Sequence, residues 1–239
     1  TLSEKLVQLE STGIDTCVVL DFTLTMAKLS AYEFLDTILK KQFNVRTLLV
    51  GHDHRFGHDR ADGYPEYKKY GETLGMEVIQ AAQYNTEVDQ HISSSEIRNN
   101  LKKGEIEPAN RLLTYDYSIQ GKVVEGFKNG RMLGFPTANI EVLDSDKLIP
   151  GLGVYAVRVR WNNSSYKGMM NIGNRPTLNN GMNISLEVHI LNFEGNIYNQ
   201  TLEIDFIRKI RDEQKFKDMV ELKEQLEKDK LNVMGMDFK

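Results

Sequence analysis

The chain of 239 residues has one cysteine, Cys17. That excludes an internal disulfide. Its place in the apolar run "CVVL" predicts a buried, inert thiol. A reducing, cytoplasmic location is expected from this. No apolar run approaches the ~20 residues that a membrane-spanning helix needs, so no membrane segment is expected. Positive charge is not in excess either: 30 Lys and Arg stand against 34 Asp and Glu, for a net charge of −4. Proteins that grip polynucleotides by their phosphates are usually basic. Nucleic acid is therefore not an expected partner, although a local cluster can still hold a small phosphate ligand. There is no low-complexity segment, no internal repeat and no visible signal peptide. The start at Thr1, within the charged, helix-like "TLSEKLVQLES", is expected to be an interior start.

What is present divides into two patterns. The first alternates strand and helix signals. "CVVLDF" and "RTLLVG" are apolar runs of strand length. Between them lies "SAYEFLDTILKKQF", where Ser30 and Glu33 have capping-box spacing and Phe34, Leu35, Ile38 and Leu39 form a helical stripe. Strand, crossover helix and strand predict a βαβ unit with parallel strands. "GYPEYKKYGETLG" reads as a helix ending at Gly75, "MEVIQAA" as a strand, and "SSSEIRNNLKKG" and "IEPANRLLT" as two short helices. From about residue 115 the pattern changes to strands separated by turns: "YSIQGKVV", "GVYAVRVRW", "YKGMMNIG", "ISLEVHIL" and "LEIDFI". That succession predicts a small antiparallel barrel or sandwich. In the closing "DEQKFKDMVELKEQLEKDK", Phe216, Met219, Leu222 and Leu226 recur at helical spacing and predict a helix packed on a core. The boundary is expected near Thr114–Tyr117, giving domains 1–114 and 115–239.

Several constellations carry chemistry. In "GFPTAN", Pro136 pushes Phe135 towards extended geometry. Along an extended segment, residues two apart point the same way, so Thr137 and Asn139 present two neutral oxygens on one side. Mg²⁺ can be held by such oxygens together with water and substrate phosphates. Local chemistry alone favours a plainer role, a turn and strand entry with both side chains capping backbone groups. Upstream, "GFKNGRMLG" brings Gly126, Gly130 and Gly134 together with Lys128 and Arg131. Glycines admit phosphate to backbone N–H groups, and cations complement its charge. The stretch is not a P-loop, and a hairpin accounts for it equally. In "SLEVHIL", Leu186, Val188 and Ile190 alternate with Glu187 and His189. The polar side is either a solvated face or a general base with a neighbouring imidazole. Ser93 and Glu96 suit a helix start, which could also seat phosphate with help from Arg98. "GHDHRFGHDRADG" holds His52, Asp53, His54 and His58. Without a cysteine partner it reads as ligand-contacting or turn-capping loop residues rather than a zinc site.

Taken together and in order, these segments are highly specific. The chain resembles the bifunctional bacterial riboflavin kinase/FMN adenylyltransferases, the prokaryotic FAD synthetases. The resemblance runs nearly end to end, through "LLVGHDHRFGHDRADG", "YGETLGMEV", "ISSSEIRNNL", "YSIQGKVVEG", "GRMLGFPTANI", "PGLGVYAVRV", "NIGNRPTL", "LEVHILNFEGNIY" and "IRDEQKF". It implies an α/β nucleotidyltransferase-like (Rossmann-like) N-terminal domain. It also implies a mostly antiparallel β-barrel riboflavin kinase domain with a C-terminal helix.

The expected function is ATP-dependent phosphorylation of riboflavin to FMN, then adenylylation of FMN to FAD with release of pyrophosphate. Carried over residue by residue, the resemblance makes Glu187 the catalytic carboxylate and makes Thr137 and Asn139 the ligands of Mg²⁺ and nucleotide phosphate. It lays Gly126, Gly130, Arg131 and Gly134 over the ATP and puts Arg211 near the flavin. It assigns Asp53, Ser94, Ser95 and Arg98 to the adenylyltransferase site. The family's opening strand and His-x-Gly-His motif have no counterpart among the five histidines here, which again points to an interior start. His54 replaces the usual aromatic after Asp53. Asn192 and Asn199 stand where Asp and Gly are commoner, and asparagine tolerates left-handed turns. Two rivals follow: a protein that keeps only the kinase activity, and a non-catalytic flavin or nucleotide binder.

Overall fold

The computed structural model describes residues 1–82, 92–126, 130, 133–175 and 183–238. Lys128 and Arg131, assigned above to the phosphate cover, lie outside the described residues. The chain forms two compact units, Leu2–Gln90 and His91–Lys239.

The first unit runs α1 (Leu2–Glu10), α2 (Leu24–Ala27), α3 (Ala31–Glu33), a π-helix (Phe34–Gln42), β1 (Thr47–Val50), α4 (Tyr64–Leu74) and β2 (Glu77–Gln80). β1 and β2 are parallel, with Thr47 opposite Glu77, and α4 is their crossover. The expected βαβ unit therefore exists, but one strand later than the apolar runs suggested. Cys17–Phe22 joins no ladder among the described residues. Val18 is 54% and Phe22 79% exposed, and the Cys17 thiol is exposed rather than buried. An apolar run supplies propensity, but a strand also needs a neighbour for its backbone groups.

Ser30 caps α3 as its spacing predicts. Its hydroxyl accepts the Glu33 N–H at 3.2 Å, and its own N–H donates to the Glu33 carboxylate at 2.8 Å. After that turn the expected α-helix becomes a π-helix, with i→i+5 bonds such as Phe43 N–H to the Ile38 carbonyl at 3.1 Å. Leu35 remains its buried residue. α4 carries proline in its first turn and ends on left-handed Gly75. It lays Tyr67 into a core with Ala31, Val50 and Val78.

The second unit runs α5 (Ser94–Lys103), α6 (Ile106–Leu113), β3 (Ser118–Val124), β4 (Ala138–Val142), β5 (Gly153–Trp161), β6 (Ser164–Arg175), β7 (Asn183–Ile190), β8 (Thr201–Arg211) and α7 (Met219–Gly235). The six strands close into a barrel in the order β3-β4-β7-β6-β5-β8, every neighbour antiparallel. Alternation sends Ile119, Val123, Ile140, Val157, Met170, Val188 and Ile204 inward. Each such side chain contributes roughly 1.5–3 kcal/mol by leaving water.

Leu101, Ile106 and Ala109 join the same core, so α5 and α6 pack with the barrel. Asn110 ties α6 down by donating to the Phe206 carbonyl at 2.8 Å and accepting the Tyr117 N–H at 2.9 Å. The change of pattern near Thr114–Tyr117 thus marks where the strands begin, while the packing divides earlier. Asn192 (φ 53°) and Asn199 (φ 62°) adopt the left-handed conformation expected of them.

α7 starts at Met219 because Asp218 caps it, accepting the N–H groups of Val220 and Glu221 at 2.9 Å each. Phe216 lies before the helix and Met219 points outward, contrary to the expected stripe. The inward face is Leu226, Asp229 and Val233. Val233 packs outside the barrel wall with Phe135, Ala156, Met169 and Leu191. The Lys167 ammonium donates to the carbonyls of Met234 at 3.0 Å and Met236 at 2.6 Å, closing the carboxyl end of the helix.

Candidate active site

Alternation decides what the outer barrel face presents. Ala138 packs towards the core and Val188 lies within it, so Thr137, Asn139 and Glu187 turn outward. Cross-strand partners share a face. Their register gives one transverse row: Val124 opposite Asn139, Asn139 opposite Glu187, Glu187 opposite Asn171, Asn171 opposite Val154, and Val154 opposite Arg211. The Thr137 hydroxyl donates to Glu187 Oε2 at 3.3 Å. The hydroxyl, amide and carboxylate singled out in the sequence are therefore adjacent. Arg211 stands at the far end of the row, three strands from Glu187 around the barrel wall.

The approach to this row is tightly built. A Cβ on Gly126 would lie 2.0 Å from Asn139 Nδ2, so the glycine lets the chain pass over the amide. The Gly130 carbonyl accepts the Phe135 N–H at 2.9 Å. Gly134 has φ 81°, a left-handed value that suits glycine. Phe135 is buried, with its ring at 5.2 Å from that of His189. His189 Nδ1 donates to the Pro136 carbonyl at 2.8 Å. The carbonyl can only accept, so Nδ1 carries the proton. The strand that supplies Glu187 thus also ties down the residue before Thr137.

Burial pushes the His189 imidazole below its ordinary pKa, against the raising effect of the Pro136 bond; Lys230 of α7 lowers it further and Glu227 raises it. A histidine depressed in the folded state stabilises fully above its unfolded value of about 6.5 and loses that contribution as pH falls through the folded value. Glu33 and Glu66, held low mainly by backbone hydrogen bonds at their helix caps, lose theirs only in the lower carboxylate range. Thermal midpoints should therefore drop between pH 7 and pH 5. In His189→Gln that drop should be smaller. An unchanged pH slope in the variant would remove His189 from the effect.

A cavity of about 260 Å³ opens where β4 begins and β7 ends. Its walls include Val123, Val188, Ile190, Phe193, Ile197 and Tyr198, with Thr137 and Asn196 also lining it. Phe193 is held by edge-on contacts to Trp161 at 5.7 Å and Tyr166 at 5.2 Å. The space is walled mainly by apolar and aromatic side chains and opens beside Thr137. Sequence reasoning did not assign Phe193, Asn196, Ile197 or Tyr198 to the site. The available signal was apolar and aromatic residues placed within a turn, "LNFEGNIY".

At the far end of the cross-strand row, Arg211 Nε lies 2.9 and 3.3 Å from the two oxygens of Asp229, and Nη1 donates to the Asp212 carbonyl at 3.1 Å. The guanidinium sits 5.7 Å from the Phe216 ring centre. Asp212, next along the chain, is paired to Lys209 at 2.6 Å. That hydrogen bond holds its carboxyl below the usual range.

In the first unit, Asp53 is exposed on the loop after β1. Phe56 fixes this loop: its ring stacks on Tyr67 at 4.2 Å, and its N–H donates to the Tyr67 hydroxyl at 3.0 Å. A cleft of about 460 Å³ beside the loop is lined by Leu20, Phe22, Met26, Phe34, His54 and Phe56, among others. No cluster of three His, Cys, Asp or Glu able to hold a metal occurs among the described residues. Ser94, Ser95 and Arg98 are exposed on the opening turns of α5. Ser93 caps that helix by accepting the Glu96 N–H at 3.2 Å. These residues belong to the second unit and Asp53 to the first.

Comparison with known proteins places both halves. Residues 113–236 match the family model for riboflavin kinase, and residues 1–96 match that for FAD synthetase. The chain is 37% identical over 228 residues to a bifunctional riboflavin kinase/FMN adenylyltransferase of Listeria monocytogenes, covering 95% of this chain and 71% of that protein. The namesakes from Bacillus subtilis and Escherichia coli (strain K12) are 37% and 36% identical, with 96% of this chain and 72% of theirs covered in each case. Among solved structures, a crystal structure described as a macrolide-efflux protein from Streptococcus pneumoniae superposes with a TM-score of 0.90 at 31% identity, covering 99% of this chain and 75% of that one. No helix among the described residues of the present chain is long and apolar enough to cross a membrane.

Proposed function

The chain belongs to the family of bifunctional riboflavin kinase/FMN adenylyltransferases, and from that premise we propose how its residues divide the work. The barrel phosphorylates riboflavin with ATP, and the FMN formed is adenylylated to FAD with release of pyrophosphate. The observation that carries the kinase reading is the outward group of Thr137, Asn139 and Glu187. Its hydroxyl-to-carboxylate distance is 3.3 Å, and amide and carboxylate are directly opposed across β4 and β7.

In this reading Glu187 accepts or orients the proton of the ribityl 5′-hydroxyl. Phosphoryl transfer has a loose transition state, so positioning and charge stabilisation matter more than full deprotonation. Thr137 and Asn139 hold Mg²⁺ and the nucleotide phosphates. The donor set fits that ion: hard neutral oxygens without an all-protein carboxylate cage, leaving positions for water and phosphate. When bound, the ion neutralises charge on the transferring phosphoryl group. Phe193, Ile197 and Tyr198 enclose the adenine beside Thr137. Gly126, Gly130 and Gly134 lead the chain over the phosphates, and Arg131 supplies charge there. Arg211 serves the flavin.

In the first unit, Asp53 and the apolar cleft beside it receive the flavin of FMN. In the second unit, Ser94, Ser95 and Arg98 at the start of α5 offer helix N–H groups, hydroxyls and a cation to ATP phosphates. The functional division stays near Thr114–Tyr117, with α5 and α6 packed on the barrel. Both reactions consume ATP, which fits the cytoplasm.

Incubation with riboflavin, ATP and Mg²⁺, followed by chromatography of the flavins, tests the reading. FMN and then FAD are expected. Riboflavin retained unchanged on the protein would replace the kinase with a flavin binder. FMN without FAD would restrict the activity to the barrel.

A further inference from the structure

Asp229 is a buried carboxylate, 2% exposed, on the inward face of α7. No sequence pattern singles it out and nothing in the proposed chemistry uses it. A charge so placed is costly unless paired and hydrogen-bonded. It is both. Arg211 Nε approaches its two oxygens at 2.9 and 3.3 Å, and Gln225, one turn earlier, donates to Oδ1 at 2.8 Å. The same arginine is bound through Nη1 to the Asp212 carbonyl and lies against Phe216. Its guanidinium is thus fixed in position. Among the described residues Nη2 takes no hydrogen-bond partner, which leaves one donor edge for a ligand.

The neighbouring turn of α7 reaches the other end of the site. Val233 packs in one cluster with Phe135, and the Lys230 ammonium lies 5.9 Å from the Phe135 ring centre. Phe135 precedes Pro136 and Thr137. One stretch of helix, Asp229 to Val233, therefore braces Arg211 and the phosphate-side strand entry together.

We propose that Asp229 is a positioning residue of the kinase site, holding the Arg211 guanidinium so that its Nη2 edge is presented to an acceptor atom of the flavin. The inference rests on the reading of Arg211 as a flavin contact. Asp229→Asn keeps the volume of the side chain and removes its charge. It should raise the riboflavin KM about tenfold while leaving the ATP KM within about twofold, the pattern of lost ground-state binding. Arg211→Lys should raise the riboflavin KM by at least as much. The double variant should be no worse than Arg211→Lys alone, because Asp229 acts through that arginine. Melting curves keep every assay well below the midpoint. If Asp229→Asn does not fold, Gln225→Met removes a single donor from the carboxylate and should raise the riboflavin KM about threefold.

An unchanged riboflavin KM in Asp229→Asn, or in Gln225→Met where that variant is needed, beside a raised one in Arg211→Lys overturns the positioning role alone. So does full additivity in the double variant. An unchanged KM in Arg211→Lys overturns the flavin reading of Arg211, and the proposal with it.

Discussion

Glu187→Gln should lower the riboflavin kinase turnover number about a thousandfold, within the range expected for loss of a general base, and leave the fold in place. The substitution keeps the size of the side chain and its place on β7. The Thr137 hydroxyl can still donate to an amide oxygen. What goes is the charge that, in the proposed mechanism, draws the proton from the attacking hydroxyl. Glu187 is half-buried on the outer wall rather than in the barrel interior, so its neutralisation leaves the interior packing untouched. The thermal midpoint should move by no more than about 2 °C, as for a surface substitution. KM values for ATP and riboflavin should stay within about twofold, because the lost interaction acts in the transition state. The measurement is steady-state FMN production beside a melting curve. Turnover within tenfold of wild type would take Glu187 out of the proton-handling role and leave the site with positioning only.

Much of this arrangement was legible because strand alternation is a local property. Thr137 and Asn139 share a face for the same reason that Val123 and Ile140 share the core. Leu186, Val188 and Ile190 point away from Glu187 and His189 on the same rule. Local chemistry also explains the capping box at Ser30, the end of α4 at Gly75, the start of α5 after Ser93 and the left-handed Asn192 and Asn199. Alternation names the face of a strand but not its neighbour. That Asn139 lies opposite Glu187, 48 positions along the chain, depends on how the barrel closes. So does the cavity walled by Phe193, Ile197 and Tyr198. The roles came from the resemblance, since the residues alone allowed a turn, a hairpin and a solvated strand.

The failures have more than one origin. Cys17–Phe22 has strand composition but joins no ladder among the described residues. Spacing alone predicts the stripe of α7, whereas Asp218 decides where the helix starts and Val233 and Asp229 decide which side faces the wall. Asp229 itself resembles any surface acid of a charged helix until Arg211 is seen beside it. Non-local partners decide the state of Cys17–Phe22 and the placing of Asp229, whereas the start of α7 is local, set by the Asp218 cap on Val220 and Glu221.

Gly126→Ala should lower kcat/KM for ATP about a hundredfold, the order of loss that a displacement of about 1 Å can cause in a catalytic constellation. The added methyl would begin 2.0 Å from Asn139 Nδ2 and 2.9 Å from Oδ1. Those atoms end a side chain, so the structure relieves the clash by turning the amide aside rather than by moving the barrel wall. Gly126 does not require a left-handed backbone, since it is absent from the glycines of positive φ. The stability cost should therefore be small, with a midpoint shift of a few degrees at most, while the dependence on Mg²⁺ and ATP weakens together. Asn139→Ala separates the two explanations. In that background the methyl at position 126 meets no amide, and Gly126→Ala should add little further loss, because both changes act on one group. A full additional hundredfold loss in the double variant would assign Gly126 to backbone contact with the phosphates instead of to clearance over Asn139. Wild-type ATP kinetics in Gly126→Ala itself would show that the Asn139 amide does not hold the nucleotide and its ion.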